Sequence, residues 1–251
     1  MKINTRESEI VQLVDQERKI LVKDLATRLN VSEVTIRKDL DKLESCGIII
    51  RRHGYALKKN TADITNRLSI NYETKCRIAK KACSMIDDNE TVIIGSGSTC
   101  ALLAEEIAKS KPGVTIITNS IYIVDHVSKL GNNKVILLGG EYQKDAQVMI
   151  GPLVRSCVKQ YFVNKIFLGT DGYMKNVGFM GSNTLRTEAI TTMAESASNV
   201  IILTDSSKFN KKGLLVQFRE SQIYQIITDK GISDDLKGFF VNHGIKLITV
   251  M

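Results

Sequence analysis

From residue 91 to residue 250 the chain alternates between short apolar runs and longer amphipathic stretches. Runs at 91–94, 114–118, 135–138, 165–168, 200–204, 224–228 and 246–250 have strand length and β-branched content. Stretches at 98–109, 120–130, 152–161, 184–198 and 233–243 carry helical spacing. Such alternation constrains the fold severely. Parallel strands need crossovers of a dozen or more residues, and an apolar run bounded by helices is buried on both faces. The region is therefore expected to be a mainly parallel sheet with helices on both faces.

The first sixty residues follow another pattern. Ile10, Leu13 and Val14 mark a helix over 5–16, and Ile20-Leu21 a brief extended segment. Leu25, Ala26 and Leu29 share one face of a second helix over 22–29. Asn30-Val31-Ser32 makes a turn, and Ser32 suits the N-cap of a third helix. Ile36, Leu40 and Leu43 form the buried stripe of that helix, which ends at Cys46-Gly47. Ile48-Ile49-Ile50 and Tyr55-Ala56-Leu57 read as two strands around a basic turn, Arg51-Arg52-His53-Gly54. The order predicts a winged helix-turn-helix.

That geometry carries a chemistry. A recognition helix in a major groove presents the face opposite its buried stripe. With Ile36 inward, Val34 and Lys38 point outward and Thr35 and Arg37 flank them. Arg37 and Lys38 suit phosphates or guanine edges, Thr35 a base or phosphate, and Val34 a thymine methyl. Arg51, Arg52 and His53 suit backbone phosphate or a minor groove. A plain solvated helix face, with Arg37 and Lys38 paired to Glu33, Asp41 or Glu44, is the competing reading. The agreement of the N-cap, the buried stripe, the basic wing and the sixty-residue size favours the first. Residues 1–60 hold 13 Lys/Arg against 9 Asp/Glu, half of the chain's net +8, which permits polyanion binding without establishing it.

The 251 residues divide, on this reading, into a DNA-binding domain at 1–57, a linker at 58–74 and an α/β domain at 75–251. Asn60-Thr61-Ala62-Asp63 is its least structured part. No apolar run approaches the ~20 residues needed to span a bilayer, and no signal-peptide core follows Met1, so a cytoplasmic location is expected. Cys46, Cys76, Cys83, Cys100 and Cys157 form no CxxC pair, and His53, His126 and His243 are far apart. Neither a metal site nor a cofactor is expected.

In open parallel sheets ligands bind at the carboxyl ends of strands. Gly95-Ser96-Gly97-Ser98-Thr99 joins a strand to a helix and suits a phosphate, though an ordinary glycine-rich βα turn has the same composition. Asn119 and Ser120 suit sugar hydroxyls or a helix N-cap. Gly169-Thr170-Asp171-Gly172 places a carboxylate between glycines, as a sugar ligand or a turn residue. Asp205-Ser206-Ser207-Lys208-Phe209 offers a lysine to phosphate, or to solvent. Leu138-Gly139-Gly140-Glu141 reads as a structural turn.

Residues 31–44, with Thr35-Ile36-Arg37-Lys38-Asp39-Leu40 at their centre, then Gly47 and Arg51-Arg52-His53-Gly54, resemble the signature of DeoR-family bacterial regulators. The resemblance continues through Asn119-Ser120, Leu138-Gly139-Gly140, Gly151-Pro152-Leu153, Phe167–Gly172, Asp205–Phe209 and Ile227-Thr228-Asp229. It implies a sensor domain akin to ribose-5-phosphate isomerase and the CoA-transferases. It also implies that Gly97, Ser98, Thr99, Asn119, Ser120, Asp171, Gly172, Glu188 and Lys208 line an effector pocket. The chain departs from the family at Tyr55, at Gly95, and at 181–187, where only Glu188-Ala189 of a threonine- and acid-rich stretch is kept.

The reading is a sequence-specific transcription regulator, expected to repress a sugar or polyol operon. Its partners are double-stranded operator DNA contacted through Ser32, Val34, Thr35, Arg37, Lys38, Arg51, Arg52 and His53, a phosphorylated sugar or polyol, and further copies of itself as a homodimer or homotetramer. The alternative is a sugar-phosphate isomerase with a DNA-binding appendage. The related isomerases follow the loop aspartate with a catalytic acidic partner, and Asp171-Gly172-Tyr173 lacks it, so no catalytic residue is assigned. A protein-interaction module is a third reading, which the basic wing disfavours.

Overall fold

The structure, a computed structural model, describes residues 4–58 and 64–251. Asn60-Thr61-Ala62-Asp63, read as the loosest part of the linker, lie outside the described residues. The chain divides into two compact units, Met1–Glu73 and Thr74–Met251.

The first unit opens with α1 (Thr5–Glu17). Asn4 Oδ1 accepts from Glu7 N, and the Glu7 carboxylate accepts from Asn4 N, so both orphan amides are satisfied. Strand β1 (Lys19–Leu21) leads to α2 (Val22–Arg28). Helix α3 (Glu33–Ser45) starts where Ser32 Oγ accepts from Thr35 N, and Gly47, at φ 68°, lets the chain leave it. Strands β2 (Ile49–Arg52) and β3 (Tyr55–Lys58) form a hairpin, and β1 adds to β3.

The basic turn is shorter than the sequence suggests. Arg51 and Arg52 belong to β2, and only His53 and Gly54 turn, at φ 49° and 79°. Two left-handed residues match the twist of a two-residue hairpin, so Tyr55 can be a paired strand residue. Within the expected linker, Ile64 and Leu68 are buried on α4 (Ile64–Ser69), and Asn66 Nδ2 donates to Ile48 O. The core of the unit joins Ile10, Val14, Leu25, Ile36, Leu40, Leu43 and Ile48.

The second unit follows the alternation. After α5 (Tyr72–Cys83) come β4 (Thr91–Ile94), α6 (Ser98–Ser110), β5 (Thr115–Thr118), α7 (Ile121–Val127) and β6 (Lys134–Leu137). A hairpin of β7 (Glu141–Gln143) and β8 (Val148–Ile150) precedes α8 (Pro152–Val158) and β9 (Val163–Leu168). Next are β10 (Gly172–Met174), β11 (Gly178–Gly181), α9 (Thr184–Ala194) and β12 (Ala197–Leu203). β13 (Leu215–Phe218), β14 (Gln225–Asp229), α10 (Asp234–Asn242) and β15 (Lys246–Val250) complete the chain.

Seven strands form one sheet in the order β15-β14-β12-β9-β4-β5-β6, and every pairing is parallel. From β4 the chain proceeds to β5 and β6; from β9 it proceeds the other way, to β12, β14 and β15. Right-handed crossovers then put α6 and α7 on one face and α9 and α10 on the other. The reversal lies between β4 and β9, and there the loops leaving the two strands diverge.

Two antiparallel additions depart from the expected pattern. β7-β8 occupies 141–150, and β10-β11-β13 forms a separate small sheet. Helix α9 also stops at Ala194, short of residue 198, because Ala197 and Asn199 already pair with Val163 and Lys165.

Candidate DNA interface and ligand site

Helix α3 is anchored from behind. Asp39 is buried and accepts from Arg6 Nε at 2.6 Å and Nη2 at 3.1 Å. Glu7, 2% exposed, accepts from Lys42 Nζ at 2.7 and 2.9 Å. Both clamps come from the first turn of α1 and hold α3 by its inner edge. The Asn4-x-x-Glu7 spacing is a capping-box signature that would have flagged this turn.

The outer face of α3 stays in water. Val34 is 61% exposed, Arg37 and Lys38 are exposed, and Thr35 is half-buried. Ser32 Oγ and Thr35 Oγ1 hydrogen-bond to each other at 2.9 Å. Arg37 pairs with Glu33 at 2.7 Å. The Arg51 guanidinium pairs with Asp41, and Arg51 N donates to Glu44 Oε1 at 2.8 Å. Arg51 thus lies against α3, while Arg52 and His53 are exposed at the hairpin tip. Lys19 Nζ stands 3.9 Å from the centre of the Tyr55 ring. The unit therefore presents a fixed helix face with exposed cations beside a basic hairpin, the form that enters a major groove.

In the second unit the ends of β4 and β9 meet at the reversal point. A Cβ on Gly97 would stand 3.4 Å from Gly169 Cα, and one on Gly95 would stand 2.8 Å from Leu168 Cδ2. The backbones of Gly97 and Gly169 thus lie about one side-chain contact apart. Gly97 is the N-cap of α6 and, lacking a side chain, leaves the first amides of a 13-residue helix uncapped. Ser98 and Thr99 stand in that first turn, 7% and 5% exposed. Gly169 also lies against the end of β12, since its Cβ would be 4.0 Å from Leu203 O.

Beyond β12 the chain makes a 3-10 turn, Ser206–Lys208, capped by Asp205 Oδ1 on Ser207 N. Asp229 holds the same turn, accepting from Ser206 N and Ser206 Oγ, both at 2.7 Å. Lys208 is half-buried there. Asp171 N donates to Met180 O, and Asp171 Oδ2 accepts from Ser182 N at 3.0 Å. Gly172 pairs with Met180, and a Cβ there would collide with Lys211 O. Gly97, Asp171, Gly172 and Lys208 thus belong to adjoining strand ends.

The other candidate residues have different neighbours. Asn119 Nδ2 donates to Met149 O at 2.9 Å, while Asn119 Oδ1 is buried with no partner among the described residues. Ser120 caps α7, its Oγ accepting from Ile123 N. Glu188 is exposed on α9, 3.8 Å from Arg155 of α8. Tyr173, which follows Gly172, turns into the core with Phe179, Phe209 and Phe240. Its hydroxyl donates to Glu220 at 3.0 Å; burial, then that carboxylate, push the phenol's pKa upward, so it stays protonated.

Residues 70–230 match the model of the DeoR C terminal sensor domain, and residues 6–62 that of the DeoR-like helix-turn-helix domain. The chain belongs to the DeoR family. Across 98% of its length it is 30% identical to the whole L-fucose operon activator of Haemophilus influenzae. It is also 30% identical to the lactose phosphotransferase system repressor of Streptococcus mutans, over 94% of this chain and 96% of that one. Ribose 5-phosphate isomerase A of Methanocaldococcus jannaschii superposes with a TM-score of 0.43 and 20% identity, over 57% of this chain and 56% of that one. This DeoR-family chain is a DNA-binding transcriptional regulator with a sensor domain. No helix among its described residues is long and apolar enough to cross a membrane.

Proposed function

We propose that this regulator represses a sugar or polyol utilisation operon and is controlled by a phosphorylated sugar or polyol. In this reading residues 1–57 bind operator DNA, 58–74 connect, and 75–251 sense. The observation that carries it is the close approach of Gly97 to Gly169 at the sheet's reversal point, beside the uncapped amides of α6. Those amides suit the phosphate, with Lys208 as its cation. Gly97, Ser98, Thr99, Asn119, Ser120, Asp171, Gly172, Glu188 and Lys208 are the proposed effector contacts. Ser32, Val34, Thr35, Arg37, Lys38, Arg51, Arg52 and His53 are the proposed DNA contacts.

The sensor binds and does not turn over. The Asp171-Gly172-Tyr173 stretch lacks the acidic partner that follows the loop aspartate in the related isomerases, and the Tyr173 side chain is buried in the aromatic core. A cytoplasmic homodimer or homotetramer fits operator half-sites related by two-fold symmetry. The effector acts by binding one arrangement of the DNA-binding domains better than another.

Two linked measurements test this. Binding sites are selected from a random duplex library, and the purified protein is melted against hexose and hexitol phosphates. A ligand at 100 times its Kd should add about 2.7 kcal/mol of stability and should change the affinity for the selected duplex. Lys208→Ala should abolish the melting shift without altering the unliganded protein's fold. Shifts unchanged in Lys208→Ala, or no shift from any phosphorylated ligand, overturn the phosphate reading.

A further inference from the structure

Buried polar atoms almost always find partners, so an orphan next to a candidate site is informative. Thr187 Oγ1 and Gln217 Oε1 are buried and have no hydrogen-bond partner among the described residues. The two side chains are 8% exposed and come from different elements, α9 and β13. Both side chains lie over Gly181, Gln217 through its amide group. A Cβ at 181 would collide with Thr187 Oγ1 and stand 3.0 Å from Gln217 Nε2. The next residue, Ser182, donates its amide to Asp171 Oδ2. The orphan pair is thereby tied to the end of β9. Glu90 Oε1, Asn119 Oδ1, Gln143 Oε1 and Thr228 Oγ1 are also orphaned among the described residues.

The chemistry of the pair selects its occupant. An amide oxygen needs a donor, its nitrogen needs an acceptor, and a threonine hydroxyl rotates to serve as either. An alcohol supplies one donor and two lone pairs. A phosphate dianion is acceptor-only and would leave Gln217 Oε1 unpaired. We propose that Thr187 and Gln217 form a hydroxyl-reading subsite of the sensor, which binds a sugar or polyol hydroxyl and sets which stereoisomer is recognised. The subsite rests on the reading of Thr74–Met251 as a sugar sensor and adds to it the end of the ligand remote from phosphate.

The test uses the full-length protein, a panel of hexose and hexitol phosphates, and the matching unphosphorylated compounds. Thermal shift selects the strongest binder, and calorimetry gives its Kd. Thr187→Val and Gln217→Leu should each weaken that binder about 10-fold or more, the scale of one buried hydrogen bond. Thr187→Ser should restore affinity. Neither apolar variant should melt below the parent when unliganded, because each removes an orphan rather than a bond. Affinity lost in Lys208→Ala but unchanged in both apolar variants overturns the subsite and leaves the phosphate sensor standing. A free sugar that binds the parent as well as its phosphate, and loses affinity in both apolar variants, supports the subsite while removing the phosphate. Unliganded destabilisation with unchanged affinity marks a structural role and overturns the subsite. Absence of binding by every compound in the panel overturns both readings.

Discussion

The two units carry their candidate ligand-contacting groups in opposite ways. In Met1–Glu73 the candidate reading groups lie on one stretch of chain, residues 32–53, and Val34, Arg37, Lys38 and Arg52 stand in water. In Thr74–Met251 they come from strand ends far apart in sequence, and Ser98, Thr99, Asn119 and Thr187 are nearly sealed from solvent. The difference follows from the ligands. DNA brings a dense line of charge that long side chains can meet while remaining solvated. A sugar hydroxyl offers nothing water does not, so it is distinguished only where water is excluded and donors are fixed beforehand.

The strongest way to break this comparison is charge. Reversing both Arg37→Glu and Lys38→Glu should weaken duplex binding by about 10³-fold or more, from the loss of two cationic contacts worth ~1–3 kcal/mol each. Fluorescence anisotropy reads the loss, and the effector-induced melting shift should be unchanged. Retained duplex affinity would remove α3 as the reading helix. Packing gives the next largest effect. Leu40 is fully buried, and Leu40→Ala should cost about 2–5 kcal/mol. Calorimetry should see that loss in Met1–Glu73, with the sensor transition unmoved.

Smaller effects sharpen the comparison. Asp39→Ala takes the partner from Arg6 and should destabilise the first unit by about 2 kcal/mol, the scale of a lost charged hydrogen bond. Duplex affinity should fall further than that stability loss explains, because α3 loses its rear clamp. Arg51→Ala removes an exposed pair with Asp41 and should change stability by less than ~1 kcal/mol. It should nevertheless lower the salt dependence of duplex binding by about one unit of slope. An unchanged slope would place Arg51 off the phosphates.

Periodicity alone exposed the large sheet and the helices of the first unit, because each strand is an apolar run and each helix has one buried stripe. The strands β7, β8, β10, β11 and β13 carry no such mark. They are three or four residues long, and β11 is Gly178-Phe179-Met180-Gly181, buried at every position. Their pairing is decided by the surface on which they lie. Helix α4 was hidden because Ile64 and Leu68 are its only large buried apolar side chains in a polar segment. At the ligand site, glycines and hydroxyls at strand ends were legible because sheet topology fixes where strand ends go. Thr187 and Gln217 were not. Each is unremarkable in its own stretch, and the missing partners exist only once α9 and β13 are packed together.

The pairing of Arg51 with Asp41, and of Arg37 with Glu33, bears on how such a protein searches a chromosome. Each of these arginines already holds a carboxylate when no DNA is near. In the proposed interface a phosphate must displace that carboxylate, and the base edges of a random duplex do not match the side chains that would complete the exchange. A cognate site adds base edges in the groove, and so completes an exchange that other sequences leave half made. Random sites outnumber true ones by ~10⁶–10⁹ in a genome, so in the proposed interface these internal counterions would act mainly on the background and shorten the time lost on the wrong sequence.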